Sequence, residues 1–366
     1  MEITDLDPIP VSVPYSVDFA ISGGEVSAAN HVLLRLHTDA GVVGLGEACP
    51  DPYFAPETMG SVVAAIEDHI SPAIRGEDPS NRGRIHRAMD EAIRGNPFAK
   101  AAVDIACFDA TGKHLGIPVS TLLGGRLRDR IEVGQSIGIG PTDRAVERAR
   151  AWVDDGFSSI KVKVGTDPET DIERATAVAE AVGDRASIRV DANQGYRADQ
   201  AVRVFSALES ECDLLLVEQP VAADDLAGMA RVTAALETPV LADESVFSPH
   251  DAIDIVDRGA ADALSVKLVK AGGLYRSRQI AAVAAAAHLP LVVGSMVELG
   301  VGTAAGAHFA ATLPAAYPSD VKGPTLHEAS VLADPIRIEE GHTVVPEGPG
   351  LGVELDDRTV EAYRVE

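Results

Sequence analysis

Lysine is close to missing from this chain, with seven residues in 366 against 24 arginines. With 56 acidic residues, the net charge is −25. That balance excludes a nucleic-acid binder, because backbone phosphates would be repelled, and an anionic membrane surface for the same reason. Cysteine is also scarce. Cys49, Cys107 and Cys212 are odd in number, far apart and without zinc-type spacing, so they read as small buried residues of a reducing compartment. No apolar run reaches the roughly 20 residues that span a bilayer; the Ala-rich stretch 280–293 is broken by His288 and Pro290. MEITDLDPIP carries neither a basic stretch nor an apolar core, so no secretory signal is expected and the expected location is the cytoplasm. Extreme acidity with few lysines is what a halophilic, salt-loaded cytoplasm would favour, since ionic strength screens self-repulsion. What is present suits a soluble globular chain: 46% hydrophobic and 24% charged, long enough for one large domain and a smaller one.

Two textures divide the sequence. Residues 1–125 read as an α+β domain. HVLLRLHT and VVGLGEA alternate around the turn Asp39-Ala40-Gly41, and helical patterns fill about 57–123 until Gly116 and Pro118 stop the last one. From 126 to 324, strand-like runs alternate with Ala-rich amphipathic helices. Marker positions 163, 191, 218, 243, 267 and 295 are separated by 28, 27, 25, 24 and 28 residues. One strand, one helix and two short loops fill that step. Seven or eight such units close a parallel barrel with its active site at the C-terminal strand ends. An open doubly wound sheet lacks support, because no glycine-rich fingerprint follows the first strand. The tail 325–366 is strand- and turn-like and is expected to pack back on the first domain and complete it.

The few lysines stand where burial is costly. Lys161, Lys163, Lys267 and Lys270 lie in apolar segments, and arginine cannot replace a lysine that must give up its proton. Lys161 and Lys163 alternate onto one strand face, so two ammonium groups share a confined site and one pKa should fall toward the range of a general base. Asp191, Glu218 and Asp243 each close a hydrophobic run and would stand side by side at three consecutive strand ends. Three hard oxygen donors suit Mg²⁺, with Mn²⁺ as a substitute, rather than zinc. Asn193 and Gln219 are expected to support them. Lys267 lies four strands after Lys163, diametrically opposite in an eight-stranded barrel. That geometry removes a proton from one face of a carbon and returns it to the other, while a divalent ion stabilises the enediolate. The ten histidines show no metal-binding spacing; most read as structural, with His308 on a helix near the barrel.

KVKVG, VDANQGY, VEQP, ADES and SVKLVKAGGL, with the hairpin GEACP and the joining segment AAVDIACFDATGKHLGIPVSTLLGG, resemble the enolase superfamily, specifically its muconate-lactonising subgroup. The resemblance covers nearly the whole chain. It implies an α+β capping domain on a modified (β/α)8-type barrel, (β/α)7β, metal ligands at Asp191, Glu218 and Asp243, acid/base catalysts at Lys163 and Lys267, and Lys161 as electrostatic partner of the enolate. Lysine with Mg²⁺ is an established pairing in that superfamily. Glu298, in GSMVELG, falls where members place a polar substrate-site residue. The implied reaction is racemisation or epimerisation of an amino-acid derivative at the carbon beside a carboxylate. Muconate-type cycloisomerisation, or a dehydration or succinylbenzoate-synthase-like elimination, is the alternative at the same site. A non-catalytic binding barrel and a Schiff-base aldolase are readings from other classes. Dipeptide epimerases of the subgroup carry Asp-x-Asp after the last barrel strand, where this chain has Asp320-Val321-Lys322. Lys322 would repel an ammonium and attract a second carboxylate. Specificity is also expected from Tyr53, Phe54 and the cap segment 15–25, where Ser22-Gly23-Gly24 reads as a lid. The expected partners are a small-molecule carboxylate and, in a homo-oligomer, further copies of the chain.

Overall fold

The computed structural model describes residues 1–21 and 24–365, with backbone alone for 17–21 and 24–26. Ser22 and Gly23 of the expected lid therefore lie outside the described residues. The first sheet is antiparallel, in the order β1 (Ile3–Ile21), β2 (Gly24–Thr38), β3 (Val43–Ala48). Alternation along β2 divides its side chains between two cores. Val32, Leu34 and Leu36 pack with Ile66, Ile70 and Met89 of the cap helices, while Leu33 joins Val11, Val13 and the large core that continues between the barrel strands and their helices. The helix Pro97–Leu115 lies flush on β3: a Cβ at Gly46 would come within 2.0 Å of the Ala102 carbonyl oxygen, so only glycine permits this approach. The helix ends at Gly116, in a left-handed conformation at φ 70°.

After β4 (Arg130–Glu132), seven parallel strands follow in chain order in one sheet: β5 (Gln135–Ile137), β6 (Ser159–Lys163), β7 (Ser187–Asp191), β8 (Leu214–Glu218), β9 (Val240–Ala242), β10 (Ala263–Val266) and β11 (Leu291–Val293). Helices connect them on the outside. The segment Ser319–Asp320 fills the eighth position. Asp320 N donates to the Val293 carbonyl on one side, at 2.9 Å, and Gly134 N donates to the Ser319 carbonyl on the other, at 3.0 Å. Asp320 and Lys322 thus belong to the element that closes the barrel, rather than to a loop beyond it.

The tail divides. His327 bridges Tyr15, Arg364 bridges Val11, and the helix Asp357–Tyr363 packs on β1. Between these contacts, β12 (Ile338–Glu339) and β13 (His342–Val344) pair with β4 in a small sheet of their own. Strand- and turn-like text predicts neither this pairing with β4 nor the final helix.

His308 sits on the buried helix Val301–Ala311, where its Nδ1 accepts from Ser120 N at 3.3 Å and its Nε2 lies 3.1 Å from the Leu351 carbonyl. Those partners select the neutral ring. Burial, with Arg126 adding to it, brings its pKa to about 4 from an ordinary 6.5. The unfolded chain therefore takes up this proton first as pH falls. Stability is full above about pH 6.5 and is lost toward pH 4, by about 3 kcal/mol from this residue. His308→Gln, which keeps a donor and an acceptor, is expected to flatten that part of the urea-midpoint profile between pH 7 and 4.

Candidate active site

Backbone register brings the predicted charges to one rim. Lys163, Asp191 and Glu218 end β6, β7 and β8 and are aligned across the ladder, while Asp243 and Lys267 directly follow β9 and β10. All five are buried. Lys163 and Lys267 occupy the second and sixth of eight positions around the barrel, so they face each other across the cavity that both line. Lys163 Nζ lies 2.5 Å from Asp191 Oδ2 and 2.7 Å from Asn193 Oδ1. Lys267 Nζ lies 2.6 Å from Asp243 Oδ2 and 4.8 Å from the Phe54 ring centre. Lys161 Nζ lies 2.8 Å from Glu218 Oε2 and 2.6 Å from Asp320 Oδ2. Five of the seven lysines are gathered here, and the other two, Lys100 and Lys113, are paired with acids elsewhere.

The three acids suit a hard divalent cation. Glu218 Oε2 and Asp243 Oδ2 are fully buried and accept no hydrogen bond among the described residues, although an ammonium lies within ion-pair distance of each. Each oxygen meets one ammonium and has lone pairs left over, which a hard divalent cation would take up. Gln219, in a left-handed conformation at φ 33°, ties two of the strand ends together. Its Oε1 accepts from Asp243 N at 2.9 Å and Ser245 N at 3.2 Å, and its Nε2 donates to Ser245 Oγ and the Val221 carbonyl. Asn193 accepts from Lys163 and donates to Glu244 Oε1 at 2.9 Å. Both therefore orient the charged groups beside them.

Electrostatics revise one expectation. Burial works against the Lys161 ammonium, but Asp320 and Glu218 outweigh it and hold its pKa above the usual lysine value. Mutual repulsion with Lys163 does not bring it down. The same balance holds at Lys267, where Asp243, Glu244 and Glu218 outweigh burial. Two lysines fall: Lys270, where burial outweighs Asp243, and Lys322, to about 7, where burial lowers it, Asp320 opposes, and Lys161, Arg189 and Lys163 add to the lowering. Glu244 is pushed up to about 8 by burial and by the charges of Asp243 and Asp191.

The expected substrate-site residues are divided. Phe54, Asp320 and Lys322 line the cavity. Tyr53 is exposed and does not; its hydroxyl donates to the Asn193 carbonyl at 2.8 Å, joining cap to barrel mouth. Glu298 does not line the cavity either. Its carboxylate turns back on its own loop, accepting from Ser295 Oγ and, at 3.0 Å, from Met296 N. Asp320 lines the cavity but is committed: besides Lys161, it lies 2.6 Å from Arg189 Nη2.

Four participants escape sequence reasoning. Arg189, buried within β7, reaches 131 residues along the chain to Asp320. Lys270 stands out as a lysine in an apolar run, but its bond to Asp243 Oδ1 at 2.7 Å does not. Ser136 is an ordinary strand serine until it meets Lys322. Glu47, in the cap hairpin, accepts from Leu299 N at 2.7 Å and Gly302 N at 2.8 Å, supplying the carboxylate that the helix Val301–Ala311 lacks in its own first turn. That tether lies beside Val297, a β-branched residue at φ 59° on the cavity wall. Among the described residues, only His31, Glu47 and Cys49 bring three His, Cys or carboxylate ligand atoms within 4.8 Å of one another, which histidine spacing does not forecast; Asp191, Glu218 and Asp243, each drawn to an ammonium, are spread more widely. With both Glu47 oxygens already accepting backbone N–H groups, the group reads as a tether between cap and barrel.

Known proteins share this architecture. Residues 6–124 match the mandelate racemase/muconate lactonizing enzyme N-terminal domain, and residues 144–359 match the enolase C-terminal domain-like family. The chain is 34% identical to the N-succinyl-L-Arg/Lys racemase of Bacillus cereus, covering 100% of this chain and 98% of that one. It is 35% identical to the L-Ala-D/L-Glu epimerase of Bacillus subtilis, over 96% and 97%. The muconate lactonizing enzyme of Pseudomonas fluorescens, solved with muconolactone, superposes with a TM-score of 0.96 at 33% identity, over 100% of this chain and 99% of that one. Epimerase, racemase and lactonizing enzyme differ in substrate but share one family, so the chain belongs to the muconate-lactonising subgroup of the enolase superfamily and is an isomerase.

Proposed function

We propose that the protein is a Mg²⁺-dependent racemase or epimerase that removes and returns the proton on the carbon beside a carboxylate, acting on an amino-acid derivative. The observation that supports this most directly is the placement of Lys163 and Lys267 on opposite walls of one cavity, with Asp191, Glu218 and Asp243 along the rim between them. These three acids would hold the cation, which when bound supplies the positive charge that makes so weak an acid removable. One lysine, as free amine, takes the α-proton; the other, as ammonium, delivers a proton to the opposite face. Lys161, two residues before Lys163 on the same strand and facing the same cavity, would favour negative charge on the substrate carboxylate as the enolate forms. Phe54 covers Lys267 and keeps water from that wall. Asp243, Glu244 and Glu218 keep Lys267 protonated, and a cation shared by those carboxylates would loosen that hold and ease proton transfer in either direction.

A cycloisomerase of a dicarboxylate is the second reading, favoured by the cationic Lys322 on the same wall as Ser136. Incubation in deuterated water separates the two. Solvent deuterium at the α-carbon of both enantiomers supports racemisation by two bases; ring closure or opening with no exchange into an enantiomeric partner rejects it.

A further inference from the structure

The strand end that presents Lys163 is held from behind by charged groups outside the cavity. β6 ends at Lys163, and the helix Pro168–Val182 that follows turns two charged side chains back toward it. Arg174 Nη2 donates to the Lys163 carbonyl at 2.7 Å and pairs with Asp171 Oδ1. Asp171 Oδ2 accepts from Gly165 N at 2.8 Å, Thr166 N at 2.9 Å and the Tyr196 hydroxyl at 2.6 Å. All three side chains are buried, yet none is among the residues that line the cavity. Burial and the bond to Asp171 hold the Tyr196 hydroxyl above its usual pKa, so it stays a donor.

Tyr196 brings in the neighbouring strand. It belongs to the loop after β7 that also bears Asn193, whose Oδ1 meets the Lys163 amine at 2.7 Å. The two loops interlock: a Cβ at Gly195 would come within 2.2 Å of the Gly165 carbonyl oxygen. Lys163 is thus gripped at its carbonyl by Arg174 and at its amine by Asn193, and Asp171 ties the two grips together. A buried ion pair contributes little net stability over apolar side chains of the same volume, whereas its directional bonds fix geometry closely. Lys267 has other supports, Asp243 and Phe54, and among the described residues no hydrogen bond of the Asp171 network reaches it.

We infer that Asp171, Arg174 and Tyr196 are positioning residues for Lys163 alone, fixing from outside the cavity how far its amine reaches toward one face of the substrate α-carbon. The inference rests on the proposed two-base reaction. A misplacement near 1 Å at a reacting group costs on the order of 100-fold in rate. The network therefore controls one of the two proton transfers and leaves the other to Lys267.

That asymmetry is what a purely structural role would not produce, and it can be measured. Arg174→Lys keeps the charge but lacks the fork that spans Asp171 and the Lys163 carbonyl; Tyr196→Phe removes a single hydroxyl and carries the test if the first variant fails to fold. Each full-length variant, with Mg²⁺ in deuterated water, is given the separate enantiomers of N-acetyl and N-succinyl amino acids. Lys163→Ala and Lys267→Ala assign the faces. In Arg174→Lys, inversion should fall on the order of 100-fold in kcat with KM within a few fold, and in Tyr196→Phe by a smaller factor. The enantiomer facing Lys163 should lose α-hydrogen exchange by the same factor, while the one facing Lys267 keeps exchanging near the wild-type rate, now with retention. Equal loss on both faces in a folded variant, or no change in either variant, overturns the inference. Crystal structures of the variants give a reading independent of turnover: the Lys163 amine should move by more than about 0.5 Å relative to Asn193, with Lys267 in place. If wild type exchanges neither enantiomer of any probe, the racemase reading falls and the structures alone decide. A displaced Lys163 amine then upholds the positioning role, and an unmoved one in both variants overturns it.

Discussion

Under the proposed two-base mechanism, alanine at Lys163 or at Lys267 is expected to end racemisation, with kcat falling by about 10²- to 10⁴-fold or more. Inversion needs a base on one face of the carbon and an acid on the other, and the two side chains approach from opposite walls. The loss should be lopsided in one respect. With Lys163 gone, Lys267 still faces its own side, so the enantiomer whose α-hydrogen points there should exchange with deuterated water without inverting. Lys267→Ala should show the mirror pattern. The fold should survive either change, because the carboxylates left behind keep other partners: Asp243 retains Lys270, and Asp191 retains the Asn193 N–H at 2.9 Å. Thermal melts alongside kinetics check this. Racemisation persisting in either single variant would remove the two-base mechanism.

Asp243→Asn is expected to weaken Mg²⁺ binding on the order of 100-fold and to remove turnover with it. Burial alone would raise this carboxyl, but Lys267 and Lys270 outweigh burial and hold its pKa well below the usual carboxylate range, so it is ionised at any working pH. The amide keeps the shape and deletes the charge. It also leaves two ammonium groups on a neutral partner, a change that should lower the melting temperature in the absence of metal. Calorimetric titration with Mg²⁺ separates the effects. Unchanged affinity in a folded variant would mean that the cation is held elsewhere.

The parts of this site that the sequence reveals share one property: their meaning is local. Asp191, Glu218 and Asp243 each end an apolar run, the near-constant step between them is that of a repeating strand–helix unit, and the lysines are conspicuous because there are so few. Alternation likewise places Val32, Leu34 and Leu36 on one face of β2. The parts that stay hidden depend on chain-distant meetings. Arg189 reads as a polar residue in a strand until Asp320 arrives from the eighth position. Glu47 reads as the end of a hairpin until a barrel helix, more than 250 residues away, presents its first N–H groups. Lys322 shows the limit from the other side. Its charge is visible as a departure from Asp-x-Asp, but its burial, and the fact that its acid, Asp320, is shared with Lys161 and Arg189, emerge only when the barrel closes. Glu298 and Tyr53 fail for a related reason, since a side chain adjacent to a site in sequence can turn back on its own loop or sit on the rim.

All seven lysine side chains are withdrawn from the exterior, between 1% and 16% exposed, so arginine supplies the outer cations. Bulky amine-acylating reagents, too large for the substrate cavity, should therefore find few lysine side chains on the native chain. Side-chain labelling would begin only as the structure opens, which turns a simple chemical footprint into a clock for unfolding.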